Sequence, residues 1–177
     1  SDDKVLILSR ARLPWLMVGL LGGLGSSILV SHFEGDISAL PQITFFMPVV
    51  AAMGGNAGVQ SSAIIVQGLA NNTLASKNII PKLAKEFAVS LINGLACSAI
   101  LLMFNIFLGQ QSNLSLVVSV ALITVIIFAS LLGTIIPLIL EKFKIDPALA
   151  TGPFVTTLND VVGLSVYFYL GRLMLGA

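Results

Sequence analysis

Asp160 is the residue whose type and position most directly imply chemistry. It stands in an otherwise uncharged stretch from Ala148 to Gly171, long enough to cross a bilayer. An ionisable side chain near mid-membrane costs about 2.5–3.5 kcal/mol on insertion scales, so it ordinarily faces a partner or a water-filled path. No basic residue of the chain shares its depth. His32 and Arg172 fall at one membrane boundary, and Lys77, Lys82, Lys85, Lys142 and Lys144 at the other. The leading reading is a carboxylate that holds a cation; a proton relay and a structural, protonated acid are the alternatives. Thr156, Thr157 and Asn159 lie beside it, Thr156 shares its helical face, and Gly163 follows three residues on. Gly152-Pro153 upstream can loosen the first turn and expose carbonyls.

A second constellation is Met53-Gly-Gly-Asn-Ala-Gly-Val-Gln-Ser-Ser62. Gly54, Gly55 and Gly58 each weaken a helix by about 1 kcal/mol relative to alanine, and Pro48 removes a backbone donor. Asn56, Ala57 and Gln60 complete the segment. A break at membrane depth persists where it lines protein or water, and in transporters such interruptions mark the ion site. The competing reading is packing of small residues, which fits Gly19-x-x-x-Gly23 and Gly22-x-x-x-Ser26 as well.

All of these donors are hard oxygens. With no second histidine and no Cys or Met pair at ligand spacing, soft transition metals are disfavoured. One acid is too few for a dry calcium cage, whereas Mg²⁺ dehydrates reluctantly and is held through its waters by one or two carboxylates. A two-fold dimer would bring two Asp160 side chains to one axis. Glu34 and Asp36, at the outer mouth, would raise the local cation concentration or simply be a solvated loop.

The elements that must position these groups follow from composition. The chain is 56% hydrophobic and 10% charged, with mean hydropathy +1.02; a soluble domain is about 25% charged. The expected fold is an all-α membrane protein in the lipid bilayer. A net charge of +1 argues against a nucleic-acid partner. Cys97 is alone, so no internal disulfide forms, and it reads as a small core residue.

A spanning helix needs about 20 apolar residues. Candidates are Leu13–Ser31, opened by Pro14 in its first turn; about Gln42–Ala70; two within Phe87–Leu140, separated by a turn at Gly109–Asn113; and about Ala148–Leu175. Lysine and arginine alternate between the connections, which places the amino terminus in the cytoplasm and the carboxyl terminus outside. Asp160 then lies about 18 Å into the fifth span, at the depth of the glycine cluster. Residues 1–12, which start abruptly without a signal peptide, suggest a fragment of a longer protein.

The segment Gly54-Gly-Asn-Ala-Gly-Val-Gln-Ser61, with Asp146-Pro-Ala-Leu-Ala and then Pro153…Asn159-Asp-Val-Val-Gly-Leu164, resembles the transmembrane domain of the MgtE family of magnesium channels. It departs from the family pattern at Val59, where relatives often carry a polar residue. The resemblance implies a homodimer in the inner cell membrane, with a pore lined by spans two and five and Asp160 holding hydrated Mg²⁺. It places Gly55, Asn56 and Thr156 at that central metal site. Gly54, Ala57, Gly58, Gln60, Thr157, Asn159 and Gly163 are expected to line the pore. Residues 1–12 would end a linker helix from cytoplasmic regulatory domains absent from this chain, and 13–177 would form the five-helix pore domain. The expected function is a Mg²⁺-selective channel. A divalent-cation exchanger coupled to H⁺ or Na⁺ and a non-conducting assembly subunit are the competitors. No Ser–His pair or zinc-spaced His and Glu supports an enzyme.

Overall fold

A computed structural model describes residues 2–39, 41–71 and 79–175, and among these all regular structure is helical. The helices are α1 (Asp2–His32), α2 (Glu34–Ala39), α3 (Met47–Ala70), α4 (Ile79–Phe107), α5 (Ser112–Lys142) and α6 (Pro147–Leu175), with a 3₁₀ turn at Pro41–Phe46. Four stretches among the described residues are long and apolar enough to cross a membrane: Lys4–His32, Pro41–Ala70, Ile79–Phe107 and Ser112–Lys142. The 29-residue α6 has the length, but its apolar run is diluted by Thr151, Thr156, Thr157, Asn159 and Asp160.

The most buried helix is α5, which packs against α3, α4 and α6. One apolar cluster joins Val50, Leu122, Val125, Tyr167 and Phe168. A second joins Ile136, Leu140, Ala150 and Val155, with Trp15 and Phe154 against it. Among the long helices, α1 packs chiefly along α6 and leaves most of its surface exposed. An all-round apolar helix of that kind suits lipid or a further protein surface.

Several sequence expectations change. The first helix begins at Asp2, so Pro14 lies in its interior and not in its first turn. Helix α4 begins at Ile79, eight residues before the uncharged block, and so carries Lys82, Lys85 and Glu86 within it; Lys77 lies outside the described residues. The largest correction concerns the glycine cluster: α3 is continuous through it. Pro48 occupies the helix's first turn, where a missing N–H leaves no bond unmade. Gly54 and Gly58 are buried at i, i+4 among Val50, Ser61 and Ile65 on the side facing the bundle. Their lack of side chains therefore serves close approach. Likewise Gly152 and Pro153 fall within an unbroken α6.

In α1 the two small-residue pairs part company. A Cβ on Gly22 would collide with the Thr157 side chain, whereas one on Gly19 or Gly23 would meet nothing within 4 Å.

Candidate functional site

The site is built where α3 crosses α5 and α6. A Cβ on Gly133 of α5 would overlap the Gly58 carbonyl and lie 3.0 Å from its carbon, so the two backbones nearly touch. A Cβ on Gly58 would strike the Asn159 amide and sit 2.6 Å from Val155 Cγ1. This approach brings Asn159, which is only 3% exposed, against α3. Its Nδ2 donates to the Gly54 carbonyl at 3.1 Å. Asn159 and the glycine cluster are thus fixed at one level of the bundle, and Asp160 is the next residue.

Asp160 is half-buried, and no described side chain donates to its carboxylate. Among the described residues the single ion pair is elsewhere, between Arg172 and Asp36. Thr156, one turn before Asp160, turns its hydroxyl back onto the carbonyls of Gly152 at 3.0 Å and Pro153 at 3.2 Å. Helix α6 is started by Asp146, whose Oδ1 accepts from the Ala148 N–H at 2.9 Å. Pro147 follows in the first turn, where its missing N–H is harmless.

The remaining sequence candidates divide by direction. Thr157 packs against Gly22 of α1, and a Cβ on Gly163 would lie 3.2 Å from Val125 Cγ1 of α5. Gly54 and Gly58 are also turned inward. Gly55 and Ala57 are half-buried, and Asn56 and Gln60 are exposed. Asn56, Ala57 and Gln60 all line a cavity of about 370 Å³ between α3, α4 and α5. At the far end of the bundle Asp36 is engaged by Arg172, whose guanidinium lies 3.0 Å from Oδ2 and 5.5 Å from the Phe33 ring centre. Glu34 is exposed.

Sequence reasoning passed over Glu86. It follows Lys82 and Lys85 and so reads as part of a solvated basic connection, yet its carboxylate accepts a hydrogen bond from Ser61 of α3. A carboxylate one residue from an apolar run, at a helical spacing that faces a serine-bearing helix, was the available signal. Among the described residues no three His, Cys, Asp or Glu side chains come together. A single copy of the chain therefore offers hard oxygens dispersed at one depth rather than a closed cage.

Helices long enough and apolar enough to cross a membrane, an unpaired acid midway along α6 and a glycine-rich helix drawn tightly against Asn159 define the class as a helical membrane domain. A family model described as a divalent cation transporter, MgtE, matches residues 47–170, and the chain belongs to the MgtE family. It is 39% identical over 167 residues to the magnesium transporter MgtE of Bacillus subtilis, covering 94% of this chain and 37% of that protein. Against the magnesium transporter MgtE of Thermus thermophilus it is 36% identical over all 177 residues, 39% of that protein. A third relative, the magnesium transporter MgtE of Enterococcus faecalis, is 32% identical over 175 residues, 38% of its length. The chain thus spans less than two-fifths of each of these relatives.

Proposed function

We propose that this chain forms the membrane pore of a Mg²⁺ channel, two copies enclosing a path lined by α3 and α6, with Asp160 of each copy facing a hydrated ion. The observation that carries this reading is the Asn159–Gly54 bond, which fixes an unpaired carboxylate beside the glycine-rich turn of α3. The relatives' shared description as magnesium transporters supports Mg²⁺ as the cargo. In this reading α6 is the fifth span, the amino terminus is cytoplasmic and the carboxyl terminus outside, and the chain resides in the cell membrane. Residues 2–12 continue a helix toward the regulatory part that the longer relatives have room for.

Physically, a carboxylate without a protein cation beside it is neutralised most favourably by a mobile one. Two such acids across a dimer axis hold a divalent ion through its waters without stripping them, since Mg²⁺ sheds its hydration shell reluctantly. Binding stays weak enough to release. In this reading the Gly55 and Thr156 backbones supply further oxygens at the same depth, whereas Asn56, which the sequence also offered for that site, faces the cavity between α3, α4 and α5.

Mg²⁺ uptake into liposomes at fixed voltage, without any counter-ion gradient, tests the proposal. The native chain should conduct, and Asp160→Asn should reduce flux at least tenfold while the protein still folds, since no described side chain donates to that carboxylate. Flux that needs an opposing H⁺ or Na⁺ gradient would instead make the protein an exchanger. Undiminished, selective flux through Asp160→Asn would sink the site assignment.

A further inference from the structure

The cavity between α3, α4 and α5 is lined by more hydrogen-bonding side chains than packing requires. Asn56, Gln60 and Ser61 reach it from α3, Glu86 and Asn93 from α4, and Ser130 from α5. Glu86 lies about 10 Å along α4 from its start at Ile79, and Asn56 about 21 Å back along α3 from Ala70. The cavity therefore runs from the inner third of the bundle toward the level of Asp160, about 20 Å into α6. Its donors are hard oxygens, and its volume is about 370 Å³. A divalent ion with six waters takes up roughly 180 Å³ at about 30 Å³ per water. The ion fits without being stripped.

The charges around Glu86 leave its carboxylate available. One oxygen accepts from Ser61. Lys82, one helical turn earlier, lies instead in a separate recess with Leu138, Glu141 and Lys142. Its Nζ is buried and has no hydrogen-bond partner among the described residues. Lys85 is exposed, and neither basic residue forms an ion pair among the described residues. From α3 and α5 only uncharged side chains face the cavity. A carboxylate carried into an apolar bundle with one hydroxyl for company attracts a cation.

We propose that this cavity is a second binding station for a hydrated divalent cation, held by Glu86 through the ion's waters and apart from Asp160. Occupancy is an equilibrium property, so the proposal stands whether or not Asp160 conducts.

Cys97 also lines the cavity and is the chain's one cysteine, which supplies a reporter. The chain in lipid nanodiscs is treated with methyl methanethiosulfonate, a small uncharged thiol reagent. Modification of Cys97 is timed with and without millimolar Mg²⁺ at matched ionic strength. Mg²⁺ should slow the reaction at least threefold in the native chain and equally in Asp160→Asn. Protection should vanish in Glu86→Gln and persist in Glu86→Asp. No protection in the native chain overturns the proposal, as does protection unchanged in Glu86→Gln. Protection lost in Asp160→Asn also overturns it, because the ion sensed would then be the one at Asp160. Should Glu86→Gln speed the Mg²⁺-free reaction, betraying a loosened fold, Asn93→Leu decides. That variant keeps the Ser61–Glu86 bond and removes an amide that faces the ion's waters; protection should weaken, and protection of undiminished size refutes the station.

Discussion

Replacing Gly133 by alanine should separate α5 from α3 and weaken the whole bundle. The new methyl would lie 3.0 Å from the Gly58 carbonyl carbon and 3.1 Å from its Cα, and would overlap the carbonyl oxygen. Carbon atoms rest at about 3.5–4.0 Å, so the helices must part by about 0.5–1 Å. The obstacle is backbone and cannot change rotamer. Overpacking of this kind costs about 1–3 kcal/mol, while alanine recovers about 1 kcal/mol of helix propensity over glycine. The net loss is up to about 2 kcal/mol. At roughly 2–4 °C per kcal/mol for a chain of this size, the melting temperature in detergent should fall by up to about 8 °C. Gly23→Ala supplies the control: it meets nothing within 4 Å, keeps only the propensity gain, and should melt at or slightly above the native temperature. Mg²⁺ uptake should fall in Gly133→Ala as well, because the displaced Gly58 sits against Asn159. A Gly133→Ala protein as stable as Gly23→Ala would refute the close-approach reasoning.

Three further outcomes follow from local geometry. Asn159→Ala removes the interhelical bond to Gly54, and such bonds in membranes are worth about 0.6 kcal/mol on average and up to about 1.7; a melting shift of that order, with reduced uptake, is expected. Asp146→Ala deletes the α6 cap and should cost about 1 kcal/mol, visible as earlier proteolysis or hydrogen exchange at residues 147–150. Lys144, two residues past the end of α5, stands at φ 59°, a conformation that favours glycine, so Lys144→Gly should raise the free energy of unfolding by up to about 1 kcal/mol. A loss of stability in that variant would show that the lysine side chain contributes more than its backbone strain.

Much of the scaffold was legible because bilayer thickness and helix rise convert directly into runs of apolar residues. The turn between α4 and α5, the second span at Pro41–Ala70 and the extent of α6 all fall close to where hydropathy and polar clusters placed them. Helix starts were less legible. Hydropathy reports where a membrane begins, and α1 and α4 run on through charged turns that it reads as connections.

The sequence by itself determined that the chain is helical and of membrane type, that it carries the MgtE motifs, and that one acid stands in a long, otherwise uncharged run without a basic neighbour. Tertiary structure alone decided what the glycines do. Three in five residues look like a broken helix, but the facing Gly133 and Asn159 turn the same absence of side chains into a tight, continuous crossing. It also decided that Asn159 and Thr157 turn inward while Asn56 and Gln60 open onto a cavity. The pairings of Arg172 with Asp36 and of Ser61 with Glu86 likewise needed the fold, since the partners are 136 and 25 residues apart. The physical reason is common to all of these. In a span that is apolar on every side, periodicity says little about which face meets protein and which meets lipid, so a side chain's direction is set by the helices that close around it.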